Sequence, residues 1–131
     1  MKCAVTTLEN KTAGEIELAE RYFAEAAFID IANTHENTAD GVHVANAGGI
    51  WAALVRGFGG FSDLGDHVRF TPSVPPGWDA LRYALNVRGT GLEVTATSSS
   101  LLVSVVSGDP IDVEVNGELQ TVSDNHAFDL S

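Results

Sequence analysis

The chain has 131 residues, 44% of them apolar and 19% charged, the composition of a globular domain large enough to bury a real core. Eighteen acidic residues against seven basic ones give a formal net charge of −11, which repels a duplex or an anionic membrane, so nucleic acid and membrane are set aside as partners. Cys3 is the single cysteine, which excludes an intramolecular disulfide and a cysteine-based metal site.

The first residues lack the basic, apolar and small-residue order of a signal peptide, and no apolar run approaches the length that spans a bilayer. The expected compartment is cytoplasmic. Residues 15–32, EIELAERYFAEAAFIDIA, read as a helix, with Ile16, Ala19, Tyr22, Phe23, Ala26 and Ala27 at helical spacing. Thr12 and Glu15 have the spacing of a capping box, and Phe28, Ile29 and Ile31 widen the apolar stripe. Asn33 to Asp40 is polar and reads as a loop. Residues 44–58, VANAGGIWAALVRGF, read as a second helix beginning near Asn46. Gly48 and Gly49 would each cost about 1 kcal/mol in a helix interior. In a first turn they cost less and let a backbone or ligand approach. Gly57, Gly59 and Gly60 are expected to end the helix.

Beyond Phe61 the apolar period changes from helical to two. Val68 and Phe70 alternate, then Leu81, Tyr83, Leu85 and Val87, then Leu92, Val94 and Ala96. LLVSVV (101–106) suits a buried strand, and Ile111, Val113 and Val115 alternate again. Pro75-Pro76-Gly77, Gly89-Thr90-Gly91, Ser98–Ser100, Gly108-Asp109-Pro110 and Asn116-Gly117 are the turn signals between them. A two-residue turn at Asn116-Gly117 would set Val115 opposite Glu118, whereas one residue more sets Val115 opposite Leu119. The pattern therefore predicts a longer or bulged turn. The expected fold class is α+β: two N-terminal helices in residues 1–61, then a small antiparallel β-sandwich of five to seven strands in residues 62–131.

His43 is the leading candidate for chemistry. It follows Gly41 and precedes a glycine-rich helix start, where free N–H groups and the positive dipole end suit an anion. The alternative is a histidine hydrogen-bonded within a loop. His35, Glu36 and Asp40 could be grouped with His43 as metal ligands, but their spacing is irregular, and no metal site is expected. His67 and His126 stand alone, in a strand and a tail. Trp51, Phe58, Phe61 and Trp78 could stack on a sugar ring, although core packing is their commoner use. No pair of carboxylates has a clear acid/base placement.

These residues carry a family resemblance. Asp40-Gly41-Val42-His43, Gly48-Gly49-Ile50-Trp51 and Gly57-Phe58-Gly59-Gly60 stand in order and at the spacing seen late in glycoside hydrolase family 65. That family holds maltose, trehalose and kojibiose phosphorylases and related hydrolases. FTPSVPPGWDALRYALNVRGTGLEV resembles the stretch that follows in the family, two strands with Arg-Gly between. Gly48 departs from the pattern, standing where alanine is usual. Family members are several times longer, with an N-terminal β-sandwich, an (α/α)6 catalytic barrel and a small C-terminal β-sandwich. The resemblance covers only the last barrel helices and that final sandwich.

What it implies is a C-terminal fragment or truncated homologue of an α-glucoside phosphorylase or hydrolase, not catalytic alone, since the family's general-acid glutamate lies in the part not matched. It implies no catalytic residue here and a phosphate pocket holding His43, Gly48 and Gly49. Inorganic phosphate would be the co-substrate, an α-glucoside the sugar partner, and no cofactor is implied. The rivals are a non-catalytic carbohydrate-binding or assembly module and one half of a split enzyme. Leu18, Tyr22, Phe23, Phe28, Ile29, Trp51, Leu54 and Val55 are more apolar surface than one small sandwich covers. A homo-oligomer through the helices, or association with the catalytic part, is therefore expected.

Overall fold

The computed structural model describes residues 13–28 and 44–131. Helix α1 spans Ala13–Phe28 and helix α2 spans Val44–Ala52, running directly into a π-helical turn at Ala53–Phe58. Eight strands follow: β1 Phe61–Ser62, β2 Val68–Phe70, β3 Leu81–Val87, β4 Thr90–Ala96, β5 Ser100–Ser107, β6 Ile111–Val115, β7 Glu118–Val122 and β8 Asn125–Asp129. They form two four-stranded sheets, in the orders β1-β2-β6-β7 and β3-β4-β5-β8. The α+β class and the sandwich are as expected, with two refinements: there are eight strands rather than five to seven, and β2 pairs with β6 in parallel, Val68 opposite Val113 and Phe70 opposite Val115.

The period-two pattern sorts side chains as the pleat requires. Val68, Phe70, Val113 and Val115 of the first sheet face Leu92, Val94, Leu101, Val103 and Phe128 of the second, all buried. Between Gly91 and Leu92 the register against β5 slips, pairing Gly91 with Ser107 and Leu92 with Val105. Val106 is thereby left over as a bulge and is exposed.

The Asn116-Gly117 expectation is corrected. Val115 lies opposite Glu118 and Glu114 opposite Leu119, across a turn of two residues. Asn116 has φ 50° and Gly117 φ 83°, the left-handed pair that a tight twisted hairpin needs. Turn chemistry prevails because β7 has little core face to protect: only Val122 is buried, and Leu119 is exposed. The β3–β4 turn is likewise Arg88-Gly89 rather than Gly89-Thr90-Gly91, with φ 54° and 84°. Thr90 is already in β4, buried, its hydroxyl donating to the Asp109 carbonyl at 2.9 Å. His126 is not in a tail but on β8, and His67 lies in the bend before β2 rather than in a strand.

The helices lie against one end of the sandwich. Ala19 and Phe23 of α1 pack on the core, while Tyr22, expected in the same stripe, is 60% exposed. Val55 and Phe58 of the π-turn are buried. The turn closes with the Gly59 N–H donating to the Leu54 carbonyl at 2.8 Å, a five-residue step. A Cβ at Gly59 would stand 2.6 Å from both the Tyr83 hydroxyl and the Val55 carbonyl, so only glycine passes there. The capping box at Thr12 and the continuation of α1 through Ile29 and Ile31 lie outside the described residues.

Candidate functional site

The sequence placed its anion site at the start of α2. That helix begins at Val44, two residues before the expected start, so Gly48 and Gly49 fall in its second turn. Their amides lie beyond the first turn, where N–H groups are spent on helical bonds. A Cβ on either glycine would meet nothing within 4 Å. No described residue therefore requires glycine at these positions, although each lowers helix propensity by about 1 kcal/mol against alanine. They leave a bare strip along α2, with Trp51 beside it, 48% exposed. His43 lies outside the described residues, as do His35, Glu36 and Asp40.

The four aromatic candidates separate. Phe58 and Phe61 are buried, and Trp78 packs on the core. Phe23, Phe58 and Trp78 form one cluster with ring centroids 5.2–6.0 Å apart. These rings hold the helices on the sandwich. Trp51 alone keeps a face free for a ligand or partner.

Below Trp51 a groove of about 320 Å³ runs between the π-turn, β1 and the edge of β3. Arg56 reaches Asp63 across it at 3.5 Å, and its guanidinium stands 5.6 Å from the centre of the Phe61 ring. Asn86 lines the far wall. Arg88 closes one end by donating to the backbone carbonyls of Asp66 and Gly65, each at 2.5 Å, and of Asp63 at 3.3 Å. An indole face with planar polar groups is suited to hold a sugar or a peptide. It is not suited to cleave a glycosidic bond, because Asp63, the acid among its lining residues, is paired with Arg56. Arg56, Asp63 and Asn86 were not singled out from sequence; they meet only through the fold.

Elsewhere the polar side chains pair off. Glu114 accepts from Arg69 at 3.1 Å and from His67, and these bonds, Arg69 first, hold its carboxyl below the ordinary range. His126 stands 3.7 Å from Glu118 and packs edge-on to Phe128. Tyr83 donates to the Gly59 carbonyl at 3.4 Å, and burial pushes its phenol up. Among the described residues no group of three or more His, Cys, Asp and Glu side chains could hold a metal ion, and no helix is long and apolar enough to cross a membrane.

Residues 61–122 match the glycosyl hydrolase family 65 C-terminal domain. An α,α-trehalose phosphorylase of Geobacillus stearothermophilus is 30% identical over 118 residues, covering 90% of this chain and 15% of the relative. An uncharacterized glycosyl hydrolase of Mycobacterium tuberculosis is 43% identical over 96 residues, 73% of this chain and 12% of the relative. A kojibiose phosphorylase of Halothermothrix orenii is 29% identical over 129 residues, 95% and 16%. The fold is shared with a solved structure provisionally named as a kojibiose phosphorylase from the human microbiome, at TM-score 0.81 and 20% identity, over 90% of this chain and 17% of that one. The chain thus spans 12–16% of the length of these curated relatives.

Proposed function

Because residues 61–122 are a glycosyl hydrolase family 65 C-terminal domain, we propose that the chain acts as the C-terminal unit of an α-glucoside phosphorylase or hydrolase and does not catalyse alone. In this reading residues 1–61 supply the last helices of a catalytic barrel and residues 62–131 the sandwich that braces them. The observation that carries it is a helical face that the other described residues leave uncovered. Leu18, Tyr22, Phe28 and Trp51 are 42–60% exposed beside a well-packed sandwich, and large apolar side chains grouped this way mark a docking surface. The helical face is assigned to the catalytic part rather than to a second copy. The trehalose phosphorylase match covers 90% of this chain within one polypeptide, and so includes the helices and the sandwich together.

Within that assembly His43, Gly48 and Gly49 form one wall of a phosphate site, with His43 as donor and the glycines leaving room for the anion. The sugar is an α-glucoside, as in the names of the trehalose and kojibiose phosphorylases. The test is an NMR titration of the chain with inorganic phosphate. Shifts confined to amides 41–49, at millimolar phosphate, are expected, since an exposed helix N-terminus contributes only ~0.3–1 kcal/mol. No shift there at high phosphate would remove the anion site.

A further inference from the structure

We propose that the free edge of β3 pairs antiparallel with the same strand of a second copy, with Ala84 opposite Ala84 on a two-fold axis. This contact does not depend on the enzymatic reading, and Trp51 of the helical face stands across the groove from this edge.

The register of the β3–β4 hairpin decides which backbone groups are free. In a two-residue hairpin the residues flanking the turn exchange both hydrogen bonds, and bonded pairs then alternate along the ladder. Val87 and Thr90 flank Arg88-Gly89, so Val87, Leu85, Tyr83 and Leu81 spend their N–H and C=O groups on β4. Arg82, Ala84 and Asn86 turn theirs the other way. Sheet order puts β3 at an edge, and among the described residues no strand lies beyond it. Trp51, Arg56 and Asp63 stand across a groove from Ala84 and Asn86, and among the described residues no strand fills that groove.

A seven-residue edge with open backbone groups is a template for another strand. The other edges are less suited: β1 has two residues, β7 and β8 five each, and β7 and β8 are tied to one another by the Glu118–His126 pair.

The sequence of β3 selects the partner. Leu-Arg-Tyr-Ala-Leu-Asn-Val is a palindrome in chemical character about Ala84. Antiparallel self-pairing sets Leu81 opposite Val87, Tyr83 opposite Leu85 and Arg82 opposite Asn86. Every pair matches apolar with apolar or polar with polar, and no like charges meet, which would disfavour the contact. Tyr83 and Leu85, only half-buried at the edge, gain cover from their opposites. The two-fold uses the same edge of both copies, so the assembly closes as a dimer.

The experiment combines sedimentation with amide hydrogen exchange on the intact chain. The expected result is association at micromolar concentration with the amides of Arg82, Ala84 and Asn86 protected. Ala84→Pro removes an N–H that the monomer's ladder does not use, and should abolish both association through this edge and the protection. Asn86→Arg sets arginine against Arg82 twice per dimer and should raise the dissociation constant roughly 2- to 30-fold, whereas Asn86→Glu should not raise it. A monomer at 100-fold higher concentration than ~1 µM, a value set by the ~8 kcal/mol that micromolar binding represents, would overturn the proposal. So would free exchange at all three amides, or equal association by the arginine and glutamate variants.

Discussion

The Trp78 indole donates to the Glu20 carboxylate at 2.6 Å, tying α1 to the sandwich across 58 residues of sequence. The same ring packs edge-on against Phe23 and at a tilt against Phe58. One side chain therefore fixes the helix by a directional bond and by apolar packing at once. Trp78→Phe, which keeps most of the packing but removes the donor, should cost about 1–2 kcal/mol. Trp78→Ala should cost about 3–5 kcal/mol. Urea denaturation of the two variants measures both, and a Trp78→Phe variant as stable as the parent would show that the bond contributes nothing.

Arg88 holds a left-handed backbone, φ 54°, that a non-glycine residue enters at a cost of about 1–2 kcal/mol. Its three bonds to the carbonyls of the 63–66 loop offset that cost. Arg88→Ala loses the bonds and keeps the strain; Arg88→Gly loses the bonds and relieves it. The alanine variant should therefore be less stable than the glycine variant by about 1 kcal/mol. Equal thermal midpoints would show that the backbone is not strained.

Stability should fall at both ends of the pH range through identified groups. The Glu114 carboxyl lies below its unfolded value because of bonds from Arg69 and His67. The unfolded chain then binds the proton first, so this contribution is full above the unfolded value and is lost as pH falls through the folded one. Glu114→Gln should flatten the acid limb. Burial raises the Tyr83 phenol above its ordinary value of 10.0. Here the unfolded chain loses its proton first, so stability is full below that value and is lost as pH rises beyond it. Tyr83→Phe should flatten the alkaline limb and leave the acid limb unchanged. Denaturation midpoints across pH check both limbs.

The two helices and the strands β3 to β6 were legible because each buries one face, which writes helical or alternating spacing into the sequence. β7 and β8 were harder to read for the same reason. β7 buries only Val122 and β8 only Phe128, so no alternation marks them. Turn positions failed differently: Arg88 is not a turn-forming residue type, and its conformation depends on carbonyls more than 20 residues away. The groove was invisible, since Arg56, Asp63 and Asn86 meet only after the π-turn, β1 and β3 assemble. The family motifs remained readable throughout, being runs of neighbouring residues.

Central to this account is the proposal that these 131 residues support catalysis without performing it. The direct measurement is release of glucose 1-phosphate from trehalose, maltose or kojibiose by the purified chain with inorganic phosphate. Lack of a general acid alone lowers such rates by ~10²–10⁴-fold, so no release above the no-protein control is predicted. Turnover that copurifies with the chain and disappears in His43→Ala would contradict it.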